Sequence, residues 1–304
     1  MIDIQHVLCP VDRSEPSKRA LDYAFAIARW YGAHVTVLYV FPNMPVMDVP
    51  PLTLGDAGLA RLREELQQFV GTAPPGVRME LLVTEAAEVD REIVRRATAL
   101  PADLVVMGSH GRSGFRHFVL GSVTERTLRE IRRPVLVVPH KAGGPAPGTQ
   151  AGFHNIICAV DFSPGSEAAV RAALGLAKEA DAHLVLLHVI EIPPEIRLHS
   201  GRDPIDVDTV RLAEEARCLR ALREMVPEEA RTYCDVETCV REGAADFAIL
   251  TLAEARGADL VVVGVQGRGA LDRLVFGSTS ARVTRAAHCP VLVVHPGDTL
   301  PATP

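Results

Sequence analysis

The chain has few cysteines, few aromatic side chains and no long apolar run near its N-terminus. Its 304 residues include six cysteines, one tryptophan and 5% aromatic residues. Without a CxxC pair and with so few cysteines, a disulfide scaffold is excluded and a reducing compartment is indicated. The uncharged stretch 30–47 contains two prolines and one glycine, so it cannot form a continuous membrane-spanning helix. Because residues 1–11 also lack a signal-peptide pattern, we expect a cytoplasmic protein without a membrane partner.

Charge of one sign is not in large excess. Lys plus Arg total 32 and Asp plus Glu total 38, which gives a formal net charge of −6. A mildly acidic chain is a poor match for sequence-independent binding to nucleic acid, and we predict no such partner. Hydrophobic residues make up 48% and charged residues 23%, which is ordinary for a globular protein. The length predicts two domains.

Several motifs of phosphate and metal chemistry are missing. The sequence contains no GxxxxGK[ST], no GxGxxG after its first apolar run and no HExxH. These absences exclude a P-loop, an ordinary dinucleotide fingerprint and a common zinc site. We therefore assign no protein metal site.

The chain does contain an internal repeat. Four segments recur: 6–12 in 155–161, 34–40 in 183–189, 102–108 in 258–264, and 134–138 in 290–294. The first two pairs are offset by 149 residues and the last two by 156, so the second copy carries a seven-residue insertion, which we place near 192–207. The repeat predicts two similar domains, 1–140 and 153–296, joined by a Gly- and Pro-rich linker.

Each copy alternates apolar runs with segments of helical periodicity. In the first copy, apolar runs predict strands at 7–11, 35–40, 81–84, 104–107 and 135–138. Periodic segments predict helices at 17–31, 59–70, 89–100 and 122–131, and in the second copy at 166–180, 210–225, 244–256 and 278–287. The predicted fold is α/β: two tandem doubly wound domains, each a five-stranded parallel sheet with helices on both faces. In such sheets, ligands bind at the carboxyl ends of the strands.

The residues after the first and fourth strands carry the strongest signal for chemistry. Asp12 and Asp161 follow strand one of each copy, and residues 108–122 and 264–278 both fit G-x2-G-x9-G-S. Glycines let the backbone approach a ligand, and the second part of the motif opens the last helix. A helix N-terminus favours an anion. The pattern therefore predicts phosphate binding in both copies.

The two PVLVV runs, 134–138 and 290–294, are predicted to be edge strands. An apolar edge strand needs a partner strand, because an unpaired edge promotes aggregation.

At these residues the chain resembles the universal stress proteins in their tandem form, whose members with this motif bind ATP. The resemblance implies that Asp12 and Asp161 lie near adenine and ribose, Val40 and Val189 contact adenine, and Gly108 and Gly264 border the ribose. It also implies that the phosphates are held by Gly111, Gly121 and Ser122 and by Gly267, Gly277 and Ser278. Flanking candidates are Pro10, Met107, His110, Arg112, Val123 and Thr124, and in the second copy Ala159, Val263, Gln266, Arg268, Thr279 and Ser280. Family members pair their last strands, so we predict an intramolecular pseudo-two-fold dimer, with homodimerisation as a further possibility.

The second copy departs from this pattern at two places. It has Val265 and Gln266 where the first has Ser109 and His110, and Ala159 where the first has Pro10. We assign no catalytic residue and expect ATP, ADP or AMP as ligand, with Mg²⁺ accompanying a triphosphate and at most weak ATP hydrolysis. Two alternatives stay open: an interaction module that senses AMP or a cyclic nucleotide, and a nucleotide-cleaving enzyme of a related fold.

Overall fold

The computed structural model describes residues 2–43, 55–111, 120–145, 152–191, 207–232, 234–265, 276–298 and 300–301. The first half contains β1 (His6–Pro10), α1 (Glu15–Tyr31), β2 (His34–Pro42), α2 (Asp56–Val70), β3 (Arg78–Ala86), α3 (Val89–Ala99), β4 (Leu104–Gly108), α4 (Ser122–Glu130) and β5 (Val135–Val138). The second half contains β6 (Asn155–Ala159), α5 (Pro164–Ala180), β7 (His183–Ile190), α6 (Val207–Glu224), a 3₁₀ helix (Glu228–Thr232), β8 (Asp235–Glu242), α7 (Ala245–Ala255), β9 (Leu260–Gly264), α8 (Ser278–Ala286) and β10 (Val291–Val294).

All strands of the described residues join one sheet, in the order β3-β2-β1-β4-β5-β10-β9-β6-β7-β8. Pairing is parallel within each half, and β5 pairs antiparallel with β10. Leu136 lies opposite Leu292, its equivalent in the repeat, so a pseudo-two-fold axis passes between them. The predicted α/β fold and the pairing of the two PVLVV strands are confirmed.

The helix ends follow from the local sequence. Ser14 caps α1 and accepts a hydrogen bond from the Ser17 N–H group, and Gly32 ends the helix with φ 69°. In the second half Ser163 caps α5 in the same way, but Asp181 adopts the left-handed conformation at its end. Asp tolerates this conformation because its short side chain bonds locally.

Apolar side chains fill both faces of the sheet. The face covered by α1, α2, α5 and α6 and the face covered by α3, α4, α7 and α8 each have a core that runs through both halves. All six cysteines lie in the described ranges, all are buried, and none forms a disulfide. Burial raises the pKa values of the Cys9 and Cys158 thiols, which disfavours the reactive thiolate form.

An aspartate at the start of the fourth strand of each half has a structural role. Asp103 Oδ2 accepts hydrogen bonds from the N–H groups of Gln5 and His6, at 2.8 and 2.9 Å. Asp259 accepts from the N–H groups of His154 and Asn155, at 2.7 and 3.1 Å. The repeated ADLVV segment therefore fastens the beginning of each half's first strand.

Part of the insertion predicted near 192–207 lies outside the described residues. The strand register still shows where the extra length enters. Arg78 of β3 lies opposite His34, and Asp235 of β8 lies opposite His183, so the offset is already 157 at β8. The added residues therefore lie between β7 and β8. Within the described ranges, no helix is long and apolar enough to cross a membrane.

Candidate ligand sites at the carboxyl edges of the sheet

Each half-sheet has a switch point where its first strand lies between the second and the fourth. β1 pairs with β2 on one side and with β4 on the other, and β6 pairs in the same way with β7 and β9. In doubly wound sheets the loops after such neighbouring strands diverge and leave a ligand-binding crevice, so these two switch points mark the candidate crevices. Because β5 and β10 are antiparallel, the strands of the two halves run in opposite directions. The carboxyl ends of the first half's strands, with their crevice, therefore lie on the side of the sheet where the strands of the second half begin.

The loop after β1 is organised by Asp12. One of its carboxylate oxygens, Oδ1, accepts from the Ser14 N–H group at 3.0 Å and from the Ser14 hydroxyl at 2.5 Å. The residue between them, Arg13, has φ 67°, which turns the chain sharply into α1. In the second half Asp161 Oδ1 accepts from the Ser163 N–H group at 3.0 Å, and Phe162 has φ 60°.

The glycine motif meets this loop directly. A Cβ added at Gly111 would collide with Oδ2 of Asp12, so a side chain at position 111 would require the Asp12 carboxylate to move. A Cβ at Gly121 would lie 3.2 Å from the Ser109 carbonyl oxygen and 3.3 Å from the His110 Cα. The Gly121 N–H group donates to that Ser109 carbonyl oxygen at 2.8 Å. The structure therefore brings Asp12, Gly111 and Gly121 together, as the sequence predicts.

Gly108 and Gly264 have a packing role that the sequence did not reveal. A Cβ at Gly108 would lie 3.0 Å from the Pro16 carbonyl carbon and oxygen in the first turn of α1. A Cβ at Gly264 would lie 2.6 Å from the Gly165 carbonyl carbon in α5. Both glycines let the first turn of a helix pack closely against the end of the fourth strand. This packing role does not depend on a ligand.

The helices α4 and α8 begin at the crevices. Gly121 and Gly277 are their N-caps, and glycine supplies no capping side chain to the N–H groups of the first turn. Ser122 and Ser278, the first helical residues, are exposed. The Thr124 hydroxyl donates to the Gly108 carbonyl oxygen at 2.9 Å, and the Ser280 hydroxyl donates to the Gly264 carbonyl oxygen at 2.7 Å. These two hydroxyls therefore hold each helix to its strand.

Most of the flanking candidates at the ends of the strands are buried or half-buried and pack in or against the core of one face of the sheet. In the first half Pro10, Val40 and Met107 are buried, and Val123 is half-buried. In the second half Val263 is buried, and Ala159, Val189 and Thr279 are half-buried. Four further candidates, Arg112, Gln266, Gly267 and Arg268, lie outside the described residues.

The two crevices differ in their side chains. In the first, the Ser109 hydroxyl and His110 Nδ1 are 2.9 Å apart and hydrogen-bonded. Arg13 bonds Glu65 of α2 at 2.6 Å and lies 5.8 Å from the centre of the Tyr39 ring. In the second, Phe162 replaces Arg13, and its ring centre is 4.6 Å from that of His188, the equivalent of Tyr39. The first loop is therefore tied to its half by an ion pair and the second by aromatic contact.

Comparison with known proteins identifies the family. The sequence model of the universal stress protein family matches residues 3–139 and 152–295. The chain belongs to this family. A universal stress protein of Mycolicibacterium smegmatis is 30% identical to this universal stress protein over 302 residues, covering 95% of this chain and 97% of the relative. Another from Mycobacterium tuberculosis is 28% identical over 310 residues, covering 95% and 97%.

A solved structure shows the same tandem fold. The universal stress protein from Archaeoglobus fulgidus superposes with a TM-score of 0.66 at 23% identity and covers 97% of both chains. At that identity the likeness concerns the fold. Among the described residues of this universal stress protein, no group of three His, Cys, Asp or Glu side chains is placed to hold a metal ion.

Proposed function

We propose that this universal stress protein binds one adenine nucleotide in each crevice and acts as a nucleotide-dependent regulator in a stress response. The observation that carries the proposal is the meeting of Asp12, Gly111 and the start of α4 at a switch point of the sheet. The same G-x2-G-x9-G-S pattern ends the fourth strand of the second half. Carboxyl-edge crevices with a glycine loop and a helix N-terminus suit a phosphorylated ligand.

The residues of the first crevice divide between the two ends of such a ligand. The Asp12 carboxylate can accept hydrogen bonds from a nucleoside, and the apolar side chains of Val40 and Met107 at the ends of their strands suit the apolar face of a base. The backbone N–H groups that follow Gly121, together with the exposed Ser122 hydroxyl, suit phosphate oxygens. Asp161, Val189 and Ser278 take these roles in the second crevice.

Binding without rapid turnover fits these residues best, with ATP as the leading ligand. Asp12 is the carboxylate that meets the glycine loop, and its Oδ1 atom accepts two hydrogen bonds from Ser14. In the proposed arrangement its other oxygen serves the nucleoside, so Asp12 does not lie at the phosphates, where a base that activates water would have to be. We therefore propose at most weak hydrolysis. Any Mg²⁺ would reach the site on the phosphates, since Mg²⁺ keeps several of its waters and binds few protein groups.

The test is the identity and amount of nucleotide in the purified protein. The protein is denatured, the released nucleotide is identified by mass spectrometry, and its ratio to protein is measured. We expect close to two adenine nucleotides per chain. A Gly121→Ala variant should lose nucleotide from the first crevice, because its Cβ presses on the Ser109 and His110 backbone. A Gly277→Ala variant should lose nucleotide from the second.

The matched control is Gly144→Ala, because a Cβ at Gly144 has no neighbour within 4 Å among the described residues. This variant should keep the wild-type ratio. AMP or a cyclic nucleotide in place of ATP would favour the sensing alternative. Pyrophosphate release with multiple turnover would favour a nucleotide-cleaving enzyme. No released nucleotide, together with no thermal stabilisation by added ATP, would refute nucleotide binding.

A further inference from the structure

A buried histidine of the second half contacts a helix of the first. His295 directly follows β10 and is 2% exposed. Its Nε2 atom lies 3.0 Å from the carbonyl oxygen of Leu128, in the last turn of α4. A carbonyl oxygen only accepts hydrogen bonds, so Nε2 carries the hydrogen and donates. The contact thus satisfies one of the carbonyl groups that the end of a helix leaves without an intrahelical partner.

A short turn holds the imidazole in this orientation. Asp298 Oδ2 accepts from the His295 N–H group at 3.1 Å and lies 3.4 Å from His295 Nδ1. The Asp298 N–H group donates back to the His295 carbonyl oxygen at 3.0 Å. The turn fixes the main chain at His295, and the burial of the ring leaves it little room to turn away from α4.

The contact made by His295 has no counterpart at the equivalent position of the first half. With the offset of 156 residues that relates β5 to β10, the position of His295 corresponds to Pro139 in the first half. Proline has no side-chain donor, so position 139 cannot give α8 the contact that His295 gives α4. The two pseudo-symmetric helices, which begin at the two candidate ligand sites, are therefore held differently at their far ends.

The length of α4 connects this contact to the first crevice. The helix has nine residues, so it is about 13 Å long at ~1.5 Å per residue. Its last turn is held by His295 of the second half, and its first turn follows Gly121 at the crevice. Between the ends, Thr124 is bonded to the Gly108 carbonyl oxygen. A helix this short moves as a unit, so a shift at Leu128 is carried to Ser122.

We propose that His295 is a positioning residue for the ligand site of the first half, acting through α4, so that this site depends on the second half of the chain. The inference rests on the proposed nucleotide binding, which it deepens. The second site has no matching support from position 139. The two halves are therefore unequal in regulation: disturbing the second half at His295 weakens ligand binding in the first.

The test compares His295→Leu, which removes the donor, with His295→Gln, whose side-chain amide can still donate. ATP affinity is measured by calorimetry on the full chain. The first site is isolated by adding Gly277→Ala and the second by adding Gly121→Ala. We expect His295→Leu to weaken the first site about 5- to 10-fold, as loss of one hydrogen bond allows. The second site should change less than about twofold, and His295→Gln should restore most of the first-site affinity.

A second measurement does not depend on nucleotide. Backbone hydrogen exchange of α4 is compared with that of α8, which serves as the control helix in the same chain. We expect faster exchange in α4 alone for His295→Leu. Equal weakening of both sites, equal acceleration in both helices, or failure of His295→Gln to restore the first site would overturn the inference. If the wild-type chain binds no ATP, the proposed function fails, and exchange alone then decides: selective acceleration of α4 supports the positioning role, and unchanged exchange overturns it.

Discussion

Buried polar atoms differ between equivalent positions of the two halves. Thr127 on α4 is fully buried, and its hydroxyl oxygen has no hydrogen-bond partner within the part of the chain that the structure describes. The equivalent residue on α8 is Val283, which has the same shape without the hydroxyl and is also fully buried. A buried hydroxyl without a partner costs roughly 1–3 kcal/mol relative to an apolar group.

We therefore expect Thr127→Val to raise the free energy of unfolding by about 1 kcal/mol. The reciprocal change, Val283→Thr, should lower it by roughly 1–3 kcal/mol. Urea denaturation of the full chain measures both. A destabilised Thr127→Val variant would mean that the hydroxyl has a partner in the folded protein.

The Glu92 carboxylate on α3 is held by three side chains. It accepts from Arg95 at 2.7 Å, from Arg96 at 2.8 Å and from the Thr84 hydroxyl at 3.1 Å. These bonds, Arg95 foremost, lower the pKa of Glu92 to about 2 although burial opposes the shift. A carboxyl group whose pKa falls on folding stabilises the folded state above its ordinary pKa, and this contribution is lost as the pH falls towards 2.

We expect Glu92→Gln to lower the free energy of unfolding at pH 7 by roughly 1–3 kcal/mol. The difference from wild type should shrink as the pH falls from about 4 towards 2, where Glu92 itself becomes protonated. Denaturation at several pH values measures this. The control is Glu88→Gln in the neighbouring exposed ion pair with Arg91, which should change stability by less than about 1 kcal/mol. A pH-independent loss at Glu92 would contradict the charge-based explanation.

At the scale of elements, the end of the fourth strand in each half touches the first turn of the helix that follows the first strand. The contact is tighter in the second half: a Cβ at Gly264 would meet the Gly165 backbone at 2.6 Å, whereas one at Gly108 would meet the Pro16 backbone at 3.0 Å. Backbone atoms cannot rotate away as a flexible side chain can. The helix itself must therefore move to make room.

We expect Gly264→Ala to destabilise the protein by roughly 3 kcal/mol and Gly108→Ala by roughly 1–2 kcal/mol, within the range of overpacking effects. Thermal denaturation shows which of the two variants is less stable. Gly144→Ala again serves as the control with free space around the new methyl group. Equal losses at positions 108 and 264 would contradict the difference in helix–strand distance.

Most of the helices and strands could be predicted from local sequence. Predicted segments such as 122–131 and 278–287 differ from α4 and α8 by a single residue at the end. Apolar periodicity and capping residues act within one or two helical turns, so a linear sequence reveals them. The same reasoning found Asp12, Gly111 and Gly121, because parallel strands bring their carboxyl ends to one edge. It did not find that Thr124 and Ser280 bond the fourth strand, since that depends on helix orientation.

At the scale of the whole molecule, the two halves share a sheet and a core. Leu136 of β5 and Leu292 of β10 lie opposite each other across the pseudo-two-fold axis. Both line an apolar pocket whose other walls include the equivalent pairs Ile4 and Phe153, Ile27 and Leu176, and Leu104 and Leu260. The Tyr31 hydroxyl also donates to Glu179 of the second half at 2.7 Å. These contacts predict that the halves unfold together.

We expect Leu136→Ala to lower the stability of both halves by roughly 2–4 kcal/mol in a single transition, because it enlarges a cavity shared by both. Trp30, the one tryptophan, reports on the first half by fluorescence, and hydrogen exchange of β6 reports on the second. The volume-conserving Leu136→Ile should cost less than about 1.5 kcal/mol. Unchanged protection of β6 in Leu136→Ala would show that the halves unfold independently.

By itself, the sequence determined the alternation of strands and helices, the two copies and the edge of each sheet where polar residues gather. These properties follow from short-range periodicity and from the repeat. The tertiary structure decided the contacts between residues far apart in the chain: His295 with Leu128, Asp103 with Gln5 and His6, and Gly264 with Gly165. Such contacts depend on how completed elements pack. One of them, between His295 and Leu128, has no counterpart at Pro139 of the first half.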